Sequence, residues 1–266
     1  MKISNIEFLE KYKKLYLAGT PSLGPFAYWK VKWCIENGET FCIPEYDCYY
    51  MIYNNHLLVY YSPDNQMHLS IDELNALDCI TLSAALYDSV KDQLIGFNAQ
   101  YDWGLRYDFN YQPKEQSSQY KAVDFDFYNE QHYERVAQII GGDDGWFTVE
   151  NAKKMTKYPT FDPLMWFFVK DNDTQDLAAI SISAYDAEVK QTELDWIYVA
   201  LEYQSKGCGR FLIDETIRRC KNKSDSICVG GTVEFYRKCG FVNHEEWVWA
   251  PKDGYRFNAI GIQPEG

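Results

Sequence analysis

Residues 204–210, which read QSKGCGR, combine residue types and a spacing that suit an anion-binding loop. They follow an aromatic and β-branched stretch typical of a strand and precede apolar residues with helical spacing. Gly207 and Gly209 leave room for a ligand beside the backbone, and free N–H groups at a helix start attract anions. Lys206 and Arg210 add positive charge. We therefore predict a phosphate-binding loop, with a plain strand-to-helix turn as the alternative.

Two carboxylates precede this loop on the same predicted strand. Glu193 and Asp195 are two residues apart, a spacing that places both side chains on one face of a regular strand. A carboxylate there could act as a general base, and mutual repulsion would raise the pKa of one of them. The alternative is a pair of solvated acids, each next to a Lys or Arg.

A phenol and several thiols lie in the same region. Tyr236, in the segment EFYRKCGF (residues 234–241), is a phenol that could act as a proton donor. Otherwise it is one of 22 tyrosines and packs in the core. The helical spacing and apolar neighbours of Cys208, Cys220 and Cys239 predict small core residues rather than nucleophiles.

Length and charge limit the classes of protein to which the chain can belong. Its 266 residues favour two domains over one, and 46% hydrophobic residues are enough for a sizeable core. The net charge of −13 would repel nucleic acid and anionic membrane surfaces, so we expect neither as a partner.

The distribution of apolar, cysteine and histidine residues leads to further expectations. Residues 1–19 mix charge into every turn, so we expect no signal peptide, and the longest apolar runs have only strand length. We therefore expect a cytoplasmic protein. Its eight cysteines form no CxxC pair, which favours reduced thiols, and its four histidines have no metal-ligand spacing, so no metal is expected.

Apolar periodicity predicts the elements of the first half. The spacing predicts a helix over residues 5–18, and residues 48–62 predict a hairpin around Asn54-Asn55. Ser70 and Glu73 form the pattern of a capping box that opens a further helix.

The second half alternates strands and helices, which predicts a mixed α/β sheet. Asn129 and Thr148 are expected to open two helices, the first of which ends at Gly141-Gly142. Further strands are predicted over residues 121–128, 164–170, 177–185, 193–200 and 226–230 and beyond 241, with helices over about 206–221 and 232–239.

The polar segment QPKEQSSQ, residues 112–119, is the best linker candidate. We therefore predict a smaller N-terminal α/β domain over residues 1–112 and a second domain over residues 113–266.

Two motifs of the second half resemble those of one protein family. Residues 204–209 match the Q/R-x-x-G-x-G/A pyrophosphate loop of the GCN5-related N-acetyltransferases (GNAT), and a strand ending Ile-Tyr-Val precedes them as it does there. Residues 234–241 are similar to the family's FYxKxGF segment, in the right order and at the expected distance. The resemblance covers about residues 120–250 and implies the GNAT acyl-CoA N-acyltransferase fold.

The resemblance also implies an N-acetyltransferase that moves an acetyl group from acetyl-CoA to a primary amine of a small molecule or peptide. Glu193 lies at the family's general-base position, with Asp195 as a second candidate, and Tyr236 at that of the tyrosine that protonates the thiolate. Backbone groups of three strand residues would bind the pantetheine arm: Ile197, Tyr198 and Val199. Seven loop residues would bind the pyrophosphate: Gln204, Ser205, Lys206, Gly207, Cys208, Gly209 and Arg210.

The chain departs from the family pattern in two places. Leu201 replaces a frequent proline, and residues 229–232 read VGGT where the family often has asparagine and alanine. The first half has no Q-x-x-G-x-G loop, so it is either a degenerate GNAT-like copy, as in tandem members, or another partner domain. The alternative to an active enzyme is a catalytically silent acyl-CoA-binding or regulatory module. The acceptor amine, the choice between acetyl and another acyl group, and the oligomeric state are left open.

Overall fold

The computed structural model describes residues 1–19, 26–112, 118–231 and 233–256. Most of the predicted linker, residues 112–119, lies outside these ranges. Among the helices described, none is both long and apolar enough to cross a membrane.

Compactness divides the chain into two units. The described residues of the first unit are 1–19, 26–104 and 243–256, and those of the second lie within 105–242. Residues 243–256 belong to the first unit because the last described strand pairs there. This division differs from the boundary between residues 112 and 113, which stays a prediction.

The described residues of the first half of the chain form four α-helices and five strands. Its helices are α1 (Asn5–Leu17), α2 (Tyr28–Cys34), α3 (Ile71–Asn75) and α4 (Ala84–Val90). Its strands are β1 (Glu39–Ile43), β2 (Cys48–Tyr53), β3 (His56–Tyr61), β4 (Cys79–Ser83) and β5 (Gln100–Tyr107).

The second half begins with strand β6 (Tyr120–Asp124). Its helices are α5 (Glu130–Gly141), α6 (Val149–Met155), α7 (Cys208–Cys220) and α8 (Val233–Lys238). Its other strands are β7 (Trp166–Asp171), β8 (Leu177–Asp186), β9 (Gln191–Val199), β10 (Ser226–Gly230) and β11 (Phe241–Pro251).

Both halves contain the same series of elements: two helices, three strands, a helix, a strand, a helix and a strand. In each, the three consecutive strands pair antiparallel and the third pairs parallel with the strand after the next helix. In the first unit β11 pairs antiparallel with β4, and in the second the strand order is β10-β9-β8-β7-β6. The predicted mixed α/β architecture is confirmed.

Local sequence signals explain several element boundaries. Asn54 and Asn55 both have positive φ, as a two-residue turn between β2 and β3 requires, which confirms the predicted hairpin. Ser70 and Glu73 form the predicted capping box at the start of α3. The Asn129 side chain accepts a hydrogen bond from the N–H of Gln131 and caps α5.

In the second unit, helices cover both faces of the sheet. On one face, the Thr216 hydroxyl of α7 donates a hydrogen bond to the hydroxyl of Ser181 on β8, at 3.2 Å. On the other, Trp196 of β9 contacts Phe147, which lies between α5 and α6, with ring centroids 5.2 Å apart. Since β7 and β8 are buried between these layers, their side chains form the core of the unit.

Gly240 joins α8 to β11 in a conformation that only glycine adopts without strain. Its φ is 91°, and a Cβ atom there would overlap the ring of Tyr111 and lie 2.9 Å from its Cβ. The Gly240 carbonyl accepts a hydrogen bond from the N–H of Asp108 at 2.9 Å. The glycine therefore allows the segment before the linker to pack tightly against this turn.

We expect Gly240→Ala to lower the free energy of unfolding by about 2–4 kcal/mol, because backbone strain and overlap with Tyr111 add together. Gly145→Ala is the control, since Gly145 also has positive φ (61°) but no described atom lies within 4 Å of the position that its Cβ would take. That variant should lose only about 1 kcal/mol. Urea unfolding followed by circular dichroism measures both, and equal losses would contradict the packing role of Gly240.

Candidate active site

Strands β9 and β10 separate after a short parallel pairing. Their register contains three pairs and ends at Cys228 opposite Glu193, although β9 continues to Val199 and β10 to Gly230. Beyond Glu193, no described strand pairs with β9 on its β10 side. The main chain at this edge can therefore form hydrogen bonds with an extended ligand.

A β-bulge between β8 and β9 determines which side chains share a face beside this divergence. The register shifts between Ile182 and Ala184, so Glu193 lies opposite Ala184 and Trp196 opposite Ile182. Directly opposed residues share a face, so the side chains of Glu193, Trp196 and Tyr198 lie on one side of the sheet. The regular alternation on which the Asp195 prediction rested is interrupted at this point.

Asp195 nevertheless lies close enough to act on Tyr198. Burial raises the pKa of the Tyr198 phenol, and the negative charge of Asp195 raises it further. Asp195 and Glu193 are both partly exposed, so both carboxylates contact solvent as well as protein. The structure thus places two carboxylates near the divergence.

Gly207 and Gly209 serve different purposes in the predicted anion loop. Gly207 has a φ of 88°, in the left-handed region that favours glycine. No described atom lies within 4 Å of the position that an added Cβ would take, so there is open space beside it. At Gly209 a Cβ would lie 3.2 Å from the ring of Phe235 and 3.4 Å from Val199. Gly209 therefore lets the start of α7 pack closely on β9 and α8.

The start of α7 has the features of an anion site. No described side chain caps it, its first turn contains no acidic residue, and residues 204–207 are exposed. Two hydrogen bonds fix the position of the loop. Gln204 Nε2 donates to the Val199 carbonyl at 3.2 Å, and the Tyr120 hydroxyl donates to the Lys206 carbonyl at 3.1 Å. Ser205 has a φ of 59°, which turns the chain toward the helix.

The Arg210 side chain forms hydrogen bonds with residues outside this loop. Its Nε lies 3.0 Å from a carboxylate oxygen of Asp214, one turn along α7, and its other nitrogens donate to the Lys238 carbonyl and the Tyr111 hydroxyl. The ion pair offsets the positive charge predicted for the anion site. Arg210 can still offer its backbone N–H in the first turn of the helix.

Tyr236 lies on α8, half-buried between Phe235 and Phe241, whose ring centroids are 5.2 and 5.6 Å away. Burial raises its pKa to about 12, with smaller contributions from Cys239 and Tyr198. The phenol is therefore protonated at neutral pH, and it is a weaker acid than an unshifted tyrosine.

The predicted core cysteines are confirmed as buried thiols. Cys208, Cys220 and Cys239 are all buried, and burial raises the pKa of Cys208 to about 12 and of the other two to about 11. Thiols with such pKa values are poor nucleophiles at neutral pH. Within the described part of the chain, no three His, Cys, Asp or Glu side chains group in a way that could hold a metal ion.

The first unit has a similar strand divergence but a different loop. Its parallel strands β3 and β4 share only two residue pairs. The loop that follows β3 contains Asp64, whose pKa is lowered to about 2 by hydrogen bonds, first from Ser62. At the start of α3 the Glu73 carboxylate accepts from the Ser70 N–H at 2.8 Å. The helix start is thus occupied by the protein's own anion, which disfavours a phosphate.

Sequence reasoning did not identify the aromatic residues beside the carboxylates. Trp146, Phe147 and Trp196 form a ring cluster on the Glu193 face of the sheet, with Trp146 and Trp196 centroids 5.9 Å apart. The alternation of Trp196 with Tyr198 could have indicated their common face, but no local pattern connects Trp146 to them.

Comparison with known proteins agrees with this geometry. Residues 164–243 match the family model of the acetyltransferase (GNAT) domain. A GCN5-related N-acetyltransferase from Sphaerobacter thermophilus is similar in structure, with 15% identity, a TM-score of 0.62 and coverage of 83% of this chain and 82% of that one. A GNAT-family acetyltransferase from Colwellia psychrerythraea has 12% identity, a TM-score of 0.61 and coverage of 95% and 98%.

A tandem GNAT protein from the clavulanic acid biosynthesis pathway is also similar, with 9% identity, a TM-score of 0.59 and coverage of 97% and 99%. No curated protein sequence matches the chain. At sequence identities of 9–15%, these structural similarities show a common fold and nothing more. The chain thus contains a GNAT acetyltransferase domain at residues 164–243. Tandem GNAT proteins share its fold over nearly the whole length.

We expect Gly207→Glu to abolish the binding of coenzyme A, because a carboxylate would enter the open space that the helix start offers to phosphates. Gly254→Glu is the matched control, since Gly254 also has positive φ (81°) and open space but lies in the first unit. Titration calorimetry with coenzyme A should show binding by the control and none by Gly207→Glu. Equal affinities would show that the loop does not bind the pyrophosphate.

Proposed function

We propose that this protein transfers an acetyl group from acetyl-CoA to a primary amine of a small molecule or peptide. The observation that carries the proposal is the divergence of β9 and β10 next to a helix start that contains no acid and no described side-chain cap. The GNAT domain supports acyl transfer in general. The acetyl group, the amine and the residue roles below belong to the proposal.

The cofactor contacts follow from what each segment offers. The loop of residues 204–210 would bind the pyrophosphate through backbone N–H groups, with the exposed Lys206 as the nearby cation. Backbone groups of Ile197, Tyr198 and Val199 would bind the pantetheine arm along the open edge of β9. The first unit would bind no second acetyl-CoA, because Asp64 and Glu73 place negative charge where phosphates would bind.

The chemical step needs one base and one acid. Glu193, at the last residue pair before the divergence, would accept a proton from the amine directly or through a water, with Asp195 as the other candidate. The amine nitrogen then attacks the acetyl carbon, the new C–N bond forms, and a backbone N–H near Val199 would stabilise the oxyanion. As the C–S bond breaks, Tyr236 would donate its proton to the leaving thiolate. The second proton on the amide nitrogen would pass to solvent, which returns a proton to the Tyr236 phenolate.

The charge of the protein agrees with this acceptor class. A net charge of −13 and two carboxylates near the divergence attract a cationic amine. Nucleic acid and membranes as excluded partners, and a cytoplasmic location, stay predictions. The alternative of a catalytically silent module is not favoured, because the candidate acid and bases lie around Tyr198. The Tyr236 phenol and the Asp195 carboxylate are both close to Tyr198, and Glu193 lies on the same face of the sheet.

The test is thiol release from acetyl-CoA over a panel of amines, with acetylated products identified by mass spectrometry. Tyr236→Phe should lower kcat by about 100-fold while leaving acetyl-CoA affinity nearly unchanged, because the hydroxyl acts only on the leaving group. Glu193→Gln should lower kcat at neutral pH by a similar factor. Its activity should recover as pH rises, since bulk solvent then supplies the neutral amine.

Tyr128→Phe is the matched control, because Tyr128 is fully exposed in the same unit. It should retain the turnover of the unmodified protein. Binding of acetyl-CoA without transfer to any amine would contradict the proposed function. Transfer that is unaffected by either substitution would remove Tyr236 and Glu193 from the mechanism.

A further inference from the structure

Four aromatic residues form a continuous surface on the side of the sheet that carries Glu193. We call this surface the aromatic face; its members are Trp146, Phe147, Trp196 and Tyr198. Trp196 contacts each of the others, with ring centroids 5.9, 5.2 and 6.2 Å away respectively. Phe147 is buried, but the other three rings are partly exposed. A packed core would bury them, so the aromatic face still has surface that a ligand can cover.

The indole N–H of Trp196 is a buried donor with no hydrogen-bond acceptor among the described residues. A buried polar group without a partner costs about 1–3 kcal/mol. Buried tryptophan N–H groups usually have an acceptor, so this one is an exception. A bound ligand with an acceptor atom could satisfy it. Trp196 also shares the face of the sheet that carries the proposed base, Glu193.

Trp146 contacts Trp196 from the segment that follows α5. It follows a turn in which Gly142 and Gly145 have positive φ (56° and 61°), and at neither glycine would an added Cβ have a described atom within 4 Å. The turn is closed by the Gly145 N–H, which donates to the Gly141 carbonyl at 3.1 Å. Because Trp146 is only half-buried and follows two glycines with open space, we expect its indole to shift when a ligand enters.

Two negatively charged side chains lie near the aromatic face. Glu193 lies on this face of the sheet, and Asp195 is close enough to raise the pKa of Tyr198. An ammonium group near these carboxylates would also be attracted by the faces of the aromatic rings. A flexible polyamine or a sugar would leave most of the aromatic surface uncovered, whereas a flat apolar body would bury it.

We propose that the acceptor is a primary amine on a flat, ring-sized apolar body that also carries a hydrogen-bond acceptor. The ring packs on the aromatic face, Trp146 shifts to admit it, and the Trp196 N–H donates to the acceptor atom. The ammonium group meets Glu193 and Asp195 and loses its proton there. This inference rests on the proposed acetyl transfer and names its substrate class.

Steady-state kinetics with matched amines tests the proposal. The probes are 2-phenylethylamine, its 2-, 3- and 4-hydroxy derivatives, n-butylamine, 1,4-diaminobutane and glucosamine. We expect the ring amines to have kcat/KM values at least tenfold above those of the other three. At least one hydroxy derivative should exceed 2-phenylethylamine.

Replacement of the Trp196 indole removes the proposed hydrogen-bond donor while keeping an aromatic ring. Trp196→Phe should therefore abolish the advantage of the hydroxy derivative by raising its KM about tenfold. For the parent amine without a hydroxyl group, the same substitution should change KM by less than about twofold.

A second variant and a binding measurement keep the test independent of turnover. Trp146→Ala should weaken binding of 2-phenylethylamine and of its preferred hydroxy derivative to the coenzyme A complex, as measured by titration calorimetry, without changing coenzyme A affinity. Trp33→Phe, a half-exposed tryptophan of the first unit, is the control.

The possible outcomes separate this inference from the proposed function. If no amine is acetylated, the proposed function fails and the inference fails with it. If glucosamine, diaminobutane or butylamine is preferred, or if Trp196→Phe and Trp146→Ala behave like Trp33→Phe, acetyl transfer stands and the substrate class is wrong.

Discussion

The early end of the parallel pairing between β9 and β10 is the constraint on which the rest of the site depends. Because the register stops at Glu193 and Cys228, β9 continues for six residues with one edge free of a described partner strand. One short turn, Leu201–Tyr203, separates that edge from residues 204–207 and the start of α7, so a ligand can contact an open main chain and a helix N-terminus together. The bulge in β9 then places Glu193 with Trp196 and Tyr198 on one face.

The two halves of the chain show how the same series of elements can keep or lose an anion site. Both have a short parallel pair followed by a loop and a helix. In the second unit, Gly207 opens the loop and α7 begins without an acidic residue. In the first, Asp64 and the Ser70–Glu73 capping box fill the corresponding positions with negative charge. The difference therefore lies in local charge rather than in strand topology.

The elements that were predicted correctly depend on local chemistry. The Asn54-Asn55 turn, the Ser70 capping box and the stop of α5 near Gly141 follow from neighbouring residues, and the loop motif indicated the GNAT domain. Other features depend on contacts between distant residues. No short-range pattern showed the bulge before Trp196, the pairing of β11 with β4, or the hydrogen bonds from Arg210 to the Lys238 carbonyl and the Tyr111 hydroxyl. Periodicity assumes a regular strand, so it misplaces side chains wherever the ladder is interrupted.

Amide hydrogen exchange with peptide resolution tests the central claim most directly. Addition of acetyl-CoA to the full chain should slow exchange in residues 195–199 and 204–210, because ligand and backbone form hydrogen bonds there. The loop of residues 62–70 in the first unit should exchange at an unchanged rate. Protection of residues 62–70 with none in residues 195–210 would contradict the account, since the cofactor would then bind at the divergence that lacks an anion site.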